Sequence, residues 1–336
     1  MAPYRPTTGL RRRAVTLGFA TLFAAVAAAP PAFPATTGTH PAHVAGTCLD
    51  DVHVLAHFDR VAGQVAESIA PEPGGSAVIG MIRARQVVRV ALDGAVQLLA
   101  TMPLPPGGGT TTPIVGTPNV TGVARSDGGD VYFLYSSGQG GLTGIWQLRP
   151  SGESRLVVPL PADTFPNALV IDGKQHRFLI TDSAGGRIWQ APLSGGEASV
   201  WSADPALAPA GFIGANGLKI HDGAVWATNS DRGTIVRIPV TQDGGSGRAE
   251  VRATGLEGID DFDFTGRSTE ILAAINESSK LVRVSADGAQ ETLLDAKNGM
   301  QGTTAVVVRG NQVYLTNGAN LAGDDPNLML AQLRRC

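Results

Sequence analysis

ANGLKIHDGAVWATNSDRGTIVRIPV, residues 215–240, is the stretch that decides the fold. It contains three short apolar runs with turn residues between them, NGLKI (216–220), VWATNS (225–230) and TIVRI (234–238). Such runs, rich in β-branched and aromatic residues and bounded by Gly or Asp, are typical of antiparallel strands. No segment of 12 or more residues keeps a 3.6-residue apolar period without Gly or Pro, so the pattern does not favour helices.

The same unit recurs along the chain. The middle run, which ends in a small polar tip, returns as FLYSSG (133–138), FLITDS (178–183), ILAAIN (271–276) and VYLTNG (313–318). The first run of each unit begins at a residue that we call its leading residue: Glu67, Thr121, Asn167, Asn216, Asp260 and Thr303. These residues are 43 to 54 positions apart. A period of this length with three or four strands per unit is typical of propeller blades, so the sequence predicts an all-β, six-bladed β-propeller.

The two ends of the chain are predicted to close the ring. The last unit stops at Cys336 after three strands, and DVHVLAHF (51–58) alternates like an edge strand ahead of the first unit. An antiparallel pairing of this N-terminal strand with the last one covers an otherwise open edge. It also places Cys48 beside Cys336, which predicts a disulfide; the alternative is two unrelated thiols.

Composition and the N-terminal segment indicate an exported protein. Residues 1–35 have the pattern of a signal peptide: Arg11–Arg13, an apolar run over 14–29, and a plausible cleavage site after Ala35. The paired arginines are compatible with twin-arginine export, and residues 36–47 are interpreted as a flexible leader before a propeller over 48–336. We expect a secreted or periplasmic protein, free of the membrane after processing.

The overall charge argues against two classes of partner. Only 16% of residues are charged and the net charge is −3, which favours neither nucleic acid nor an acidic membrane surface. We therefore expect a small-molecule substrate and a monomer.

The leading residues share one chemistry. Inner strands of a propeller all start at one face of the ring, so their first side chains converge on the axis. Here these side chains all offer oxygen atoms, and no Cys or His joins them. Hard cations prefer such sites, so Ca²⁺, Mg²⁺ or Mn²⁺ fits best, with Zn²⁺ left open. The alternative is a ring of polar side chains that only solvate a wet channel.

Four motifs carry a resemblance to a known family. They are AESIA (66–70), FPNALVID (165–172), GANGLKI (214–220) and GIDDFDF (258–264), and together they resemble the SMP-30/gluconolactonase-like propellers. Matched motif by motif, the resemblance implies Glu67, Asn216 and Asp260 as ligands of a divalent ion. It also implies Asn167 as the residue that orients water or substrate, and Asp260 as the acid/base.

Two departures from the family pattern concern the substrate. Phe165 stands where sugar-lactone members carry an Arg, and Asp261 stands where a Gly is usual. We therefore predict a hydrolase of a lactone or ester more apolar than a sugar lactone, with Phe165, Thr121, Thr303 and Asp261 around the substrate. One alternative is a metal-independent pericyclase, since the sequence also resembles fungal propellers of secondary metabolism, some of them hetero-Diels–Alder pericyclases. The other alternative is a non-catalytic binding propeller.

Overall fold

Strands make up nearly all the regular structure of the computed structural model, which describes residues 46–107 and 111–336. In chain order they are β1 (Thr47–His57), β2 (Ala66–Pro71), β3 (Ala77–Met81), β4 (Gln86–Val90), β5 (Val96–Thr101), β6 (Asn119–Arg125), β7 (Val131–Ser136), β8 (Gly144–Leu148), β9 (Ser154–Pro159), β10 (Pro166–Asp172), β11 (Arg177–Asp182), β12 (Arg187–Pro192), β13 (Ser199–Ser202), β14 (Ala215–His221), β15 (Ala224–Asn229), β16 (Thr234–Pro239), β17 (Glu250–Ala253), β18 (Ile259–Phe264), β19 (Ile271–Ile275), β20 (Lys280–Val284), β21 (Gln290–Leu294), β22 (Thr303–Arg309), β23 (Gln312–Asn317) and β24 (Asn327–Arg335). Two short 3-10 turns, Pro205–Leu207 and Ala296–Asn298, lie between strands.

These strands form six antiparallel sheets of four, and each sheet is one blade. Blades 1 to 5 are β2–β5, β6–β9, β10–β13, β14–β17 and β18–β21, and blade 6 has the order β22, β23, β24, β1. The predicted six-bladed propeller is therefore confirmed. The outer strands of blades 1 to 5 were not recognised individually in the sequence. They face solvent, as the largely exposed β5 shows, so they carry no apolar pattern.

Blade 6 closes the ring with both ends of the described chain. Strand β1 pairs antiparallel with β24, from Thr47 opposite Arg335 to His57 opposite Asn327. Cys48 and Cys336 form the predicted disulfide, with their Cα atoms 6.0 Å apart. The strand begins at Thr47, four residues before the predicted start, because its first residues pair with the end of β24 beside that disulfide.

The core lies between the blades. Of the apolar clusters among the described residues, six each join two neighbouring blades; Phe133 of blade 2, for example, shares a cluster with Val78 of blade 1. Burial of large side chains such as Phe133, at about 1.5–3 kcal/mol each, holds the blades in a fixed relation. The starts of the six inner strands are thereby held around one axis.

Each inner strand carries a register shift just after its first residues. The shift falls at Glu67 in β2 and at Thr304 in β22. In the other four inner strands it spans the leading residue and the residue after it. A bulge places an extra residue in one strand and redirects its side chain. The same local irregularity, repeated six times, therefore marks the residues at the mouth.

The predicted signal peptide and nearly all of the predicted leader lie outside the described residues. Within the described part of the chain, no helix is long and apolar enough to cross a bilayer.

Candidate active site

Four of the predicted site residues come together at the mouth of the ring. Glu67, Asn167, Asn216 and Asp260 line a mouth cavity of about 600 Å³ and also a smaller cavity of about 220 Å³ in the channel beneath it. They belong to the inner strands of blades 1, 3, 4 and 5. The four side chains thus form a polar floor between the mouth cavity and the channel.

Serine residues hold the two asparagine side chains of this floor. Asn167 Nδ2 donates to Ser183 Oγ (3.2 Å), and Asn216 Nδ2 donates to Ser230 Oγ (3.0 Å). Each serine follows the second strand of its blade, at the polar tip recognised in the sequence. With the amide nitrogens held in this way, neither amide oxygen has a donor among the described residues.

Asp260 has a different partner at the equivalent tip. Asn276 Nδ2 donates to Asp260 Oδ2 at 2.7 Å. The tip of ILAAIN is recognisable in the sequence, but the motif by itself indicates no role for Asn276. The available signal was its place in the repeat, where Ser183 and Ser230 stand in blades 3 and 4.

Glu67 has no such partner. The place of the serine is taken in blade 1 by Ile82, which offers no side-chain donor. The Glu67 side chain is buried, with 8% of the residue exposed, and no described residue donates a hydrogen bond to its carboxylate. Burial raises the pKa of Glu67 well above its usual range, and the negative charges of Asp260 and Asp261 raise it further.

Burial also raises the pKa of Asp260, to about 7. The hydrogen bonds from Asn276 and Asn216 act in the opposite direction, and the charge of Asp261 adds to the rise. A carboxyl group that titrates near neutrality can both accept and return a proton under ordinary conditions. Strongly shifted carboxyl groups in a cleft are a typical mark of a functional site.

Asp261 lies in the channel and is paired. Its Oδ1 atom accepts a hydrogen bond from Lys219 Nζ at 2.6 Å, which offsets part of the rise that burial causes in its pKa. Asp263, further down the channel, accepts the backbone N–H of Val308 at 2.8 Å, and burial raises its pKa to about 6. Asp261 thus faces the channel below the floor with its own counter-ion.

Three predicted pocket residues have other surroundings. Thr121 is fully buried, and its hydroxyl donates to the carbonyl oxygen of Pro166 in the next blade (2.7 Å). Thr303 is also fully buried, and its hydroxyl donates to Asn317 Oδ1. Because of the bulge at Thr304, it is Thr304 and not Thr303 that lines the channel. Phe165 lines the mouth cavity, but only 2% of it is exposed. Its ring packs with Val65 and Ile82 in the wall.

Comparison with known proteins identifies the fold. No family model matches the chain, and no curated protein matches its sequence. Among solved structures, a gluconolactonase from Xanthomonas campestris is 14% identical with a TM-score of 0.60, over 88% of this chain and 99% of that one. A calcium-binding protein, regucalcin, from Agrobacterium tumefaciens is 16% identical with a TM-score of 0.59, over 83% and 92%. The chain has the fold of the gluconolactonases.

The same fold also serves a different reaction. A streptogramin B lyase is 15% identical, with a TM-score of 0.56, over 80% of this chain and 79% of that one. At these identities the likeness extends to the gluconolactonase-type propeller and not to its chemistry. The function must therefore be argued from the site itself.

Several side chains that line the mouth cavity above the floor are apolar. Ile114 and Val115, from the loop before β6, and Phe212 and Ile213, from the loop before β14, line the mouth cavity together with Leu321. Ile114 has a φ of +65°, which is unusual for a β-branched residue and marks local strain. No repeat or motif in the sequence indicates a role for these residues.

Phe212 is displayed by a rigid loop. The Asp231 carboxylate accepts the backbone N–H groups of residues 210, 211, 212 and 213 at 2.6–3.0 Å. Burial opposes the ionisation of Asp231, but these four donors outweigh it and lower the pKa of that carboxyl. Phe212 nevertheless stays 59% exposed as a residue. The loop therefore presents an aromatic surface to the cavity at a defined position.

The donor atoms of the floor fit a divalent cation. Glu67 and Asp260 bring two carboxylates, Asn167 and Asn216 bring free amide oxygens, and the nearby Lys219 is already paired with Asp261. An oxygen-only set with two uncompensated acids suits a hard divalent ion. Among the described residues, no three His, Cys, Asp or Glu side chains form a metal cluster. An ion here would therefore depend on amide oxygens as much as on carboxylates.

Proposed function

We propose that this protein is an ion-dependent hydrolase of a lactone or ester that is more apolar than a sugar lactone. The observation that carries the proposal is a floor whose free polar atoms are acceptors, beneath a rim that includes the apolar side chains of Ile114, Phe212 and Leu321. Glu67 supports it most directly, because a buried carboxylate without a donor is costly unless a cation or a proton compensates it.

The proposed ligands are Glu67, Asn216 and Asp260, with Asn167 beside them to orient water or substrate. A bound Ca²⁺, Mg²⁺, Mn²⁺ or Zn²⁺ would polarise the substrate carbonyl and stabilise the negative charge that develops on its oxygen. The rest of the chemistry is assigned to side chains of this chain.

Asp260 is proposed as the general base and then the general acid. A water molecule adds to the carbonyl carbon while Asp260 accepts one of its protons. The bond from the carbonyl carbon to the ring or ester oxygen then breaks, and Asp260 returns the proton to the departing oxygen. One water is consumed and a hydroxy acid, or an acid and an alcohol, is released. In the ion-free protein burial raises the pKa of Asp260 to about 7, and a bound cation would lower this pKa and favour the basic form that the first transfer needs.

The apolar preference rests on the rim. Phe165 offers no hydrogen-bond donor from its side chain, and it packs in the wall instead of standing free. Phe212 is the ring that is available to contact a substrate, and Ile114 and Leu321 extend this surface. An exposed aromatic ring favours apolar groups over hydroxylated ones.

The proposal includes an exported monomer that acts on a small molecule. The Cys48–Cys336 disulfide is compatible with a secreted or periplasmic protein, since such bonds persist in oxidising compartments. Mass spectrometry of protein from the secreting host should find residues 1–35 removed.

The test is a panel of aliphatic, aromatic and sugar lactones and esters. Each is assayed with ion-loaded protein, with chelated protein and after the ion is restored. We expect turnover of apolar substrates that chelation abolishes and the ion restores. Activity that survives chelation would refute the ion-dependent mechanism, and activity limited to sugar lactones would refute the specificity. If nothing is hydrolysed, a pericyclase or a binding protein becomes the better interpretation.

A further inference from the structure

In blades 3, 4 and 5 the residue at the tip of the second strand matches the chemistry of the floor side chain that it bonds. In blades 3 and 4 the leading residue is an Asn, whose amide nitrogen donates to a serine at the tip. In blade 5 the leading residue is Asp260, an acceptor, and the tip residue Asn276 supplies the donor. The tip residue thus accepts a hydrogen bond from the leading residue in blades 3 and 4. In blade 5, where the leading residue is the carboxylate Asp260, the tip residue donates the hydrogen bond instead.

Unlike the two serines, Asn276 makes no hydrogen bond to the next blade among the described residues. Ser183 Oγ donates to the carbonyl oxygen of Ala215 (2.7 Å), and Ser230 Oγ donates to that of Ile259 (2.6 Å). Each serine therefore ties its blade to the next one. The Asn276 side chain makes its hydrogen bond to Asp260 and none to blade 6 within the described residues.

The position of Asn276 has a cost for the folded protein. Only 6% of the residue is exposed, and its buried Oδ1 atom has no donor in the part of the chain that the structure describes. The nearby backbone N–H of Gly302 donates to Ser279 Oγ instead (2.8 Å). A buried unsatisfied acceptor destabilises a fold by about 1–3 kcal/mol. Reversing the amide would not relieve this cost, since oxygen would then face the Asp260 carboxylate.

We propose that Asn276 is a positioning residue that holds Oδ2 of Asp260 and thereby fixes the orientation in which this carboxylate faces the ion. This inference rests on the proposed function. Its basis is the 2.7 Å bond, the orphaned oxygen and the absence of any bond to the next blade. Partners that orient a ligand in this way change metal affinity by about 10-fold to 100-fold when they are removed.

The experiment measures the affinity of the full chain for Mn²⁺ by calorimetry, together with urea unfolding and steady-state kinetics. Asn276→Leu keeps the size of the side chain and removes the donor. We expect about 10-fold to 100-fold weaker Mn²⁺ binding, and a lower kcat at saturating Mn²⁺ with little change in KM. If the leucine variant does not fold, Asn276→Ala replaces it, since it adds no bulk.

Asn119→Leu is the matched control. Asn119 is a fully buried asparagine whose Oδ1 atom also lacks a donor, but it bonds Thr117 and does not line the mouth. The control should lose stability and keep its Mn²⁺ affinity. Wild-type binding with an unchanged affinity in Asn276→Leu would overturn this inference alone. A wild-type protein that binds no Mn²⁺ would overturn both this inference and the proposed function.

Discussion

One place in the blade, occupied by six different residues, decides the chemistry of the mouth. At the inner-strand bulge the chain has Glu67, Asn167, Asn216 and Asp260 in four blades and Thr121 and Thr304 in the other two. The threonines use their hydroxyls to bond the backbone of the next blade, Pro166 and Ala66 respectively. The floor is therefore formed by the four residues whose side chains do not hydrogen-bond the backbone of the next blade.

Replacing Asp260 should remove ion binding. Asp260→Ala deletes one of the two carboxylates, and we expect Mn²⁺ affinity to fall by roughly 100-fold or more, beyond the usual effect of an outer partner. Thr121→Ala is the control, because its hydroxyl bonds backbone and faces no ion. Calorimetric titration of both variants is the measurement. Equal affinities in the two variants would contradict the assignment.

Replacing Phe212 should affect recognition and leave the ion in place. Phe212→Ser removes the exposed ring, and we expect KM for an aromatic ester to rise about tenfold, equivalent to about 1.4 kcal/mol of lost apolar contact. Leu104→Ser is the control, since Leu104 is 51% exposed on the loop between β5 and β6 and does not line the mouth cavity. A KM that changes equally in both variants would show that the ring makes no specific contact.

The positions of individual residues were predictable from the sequence where they belong to the repeat. They were not predictable where a bulge or a hydrogen bond to a distant residue determines the position. Glu67 and Asp260 could be placed because strand phase brings every leading residue to the same face. Thr303 was assigned one position too early, since a bulge leaves no trace in the alternation of apolar residues. Phe212 escaped notice because a loop held by one carboxylate has no periodicity.

Side-chain hydrogen bonds from the second strand of one blade to the inner strand of the next also hold the inner strands in place. Thr181 Oγ1 accepts the N–H of Ala168 (2.9 Å) and donates to the carbonyl oxygen of Asn216 (2.6 Å), and Thr228 has the same arrangement one blade later. Blade 5 has Ala274 at that position. There Asp261 and Asp263 accept backbone N–H groups of β22 instead. The two channel acids therefore contribute to the junction between blades 5 and 6.

Removing one of these hydroxyls should destabilise the ring. Thr181→Val keeps the shape but leaves a buried N–H and a buried carbonyl without partners, at a cost of about 1–3 kcal/mol. Urea unfolding should show a lower midpoint. Thr101→Val, at an exposed position of β5, should change little. Similar midpoints for the two variants would mean that water or a backbone shift replaces the lost bonds.

The number of blades and the order of their inner and second strands could be predicted from the sequence repeat. These strands bury one or both faces, so their sequences contain regularly spaced apolar residues. The outer strands did not, as the exposed residues 96–98 of β5 show. Their pairing is determined by the preceding strand and by turn length, and neither is visible as hydrophobic alternation.

Closure of the whole ring depends on both ends of the described chain. The Cys48–Cys336 bond spans 288 residues, so the chain-entropy model predicts a contribution of up to about 5 kcal/mol. The double variant Cys48→Ser with Cys336→Ser should unfold at a clearly lower denaturant concentration. Wild-type protein under reducing conditions should match it. Identical midpoints with and without the bond would show that pairing of β1 with β24 is sufficient.

The stability of the ion-free protein should fall as pH rises through neutrality. Glu67 and Asp260 hold protons in the folded state at pH values where the unfolded chain has lost them, since both folded pKa values are raised. The folded state therefore binds more protons between about pH 4 and pH 7, and unfolding becomes easier across that window. Saturating Mn²⁺ should remove this loss at pH 7 and above. Urea midpoints at several pH values, with and without Mn²⁺, are the measurement, and a stability that rises with pH in ion-free protein would contradict it.

The pairing of β1 with β24 determines when, during synthesis of the chain, the site at the mouth can form. A ribosome releases β1 early, but its neighbour in the sheet, β24, emerges only after the other described strands, so β1 must wait for them before it can pair. During that wait Glu67 and Asp260 cannot yet be held around one axis. A partly made chain therefore has no floor to bind an ion, and long-range pairing of this kind is expected to be the slow event in folding. Competence to bind should appear abruptly, when β24 pairs with β1, and not grow blade by blade.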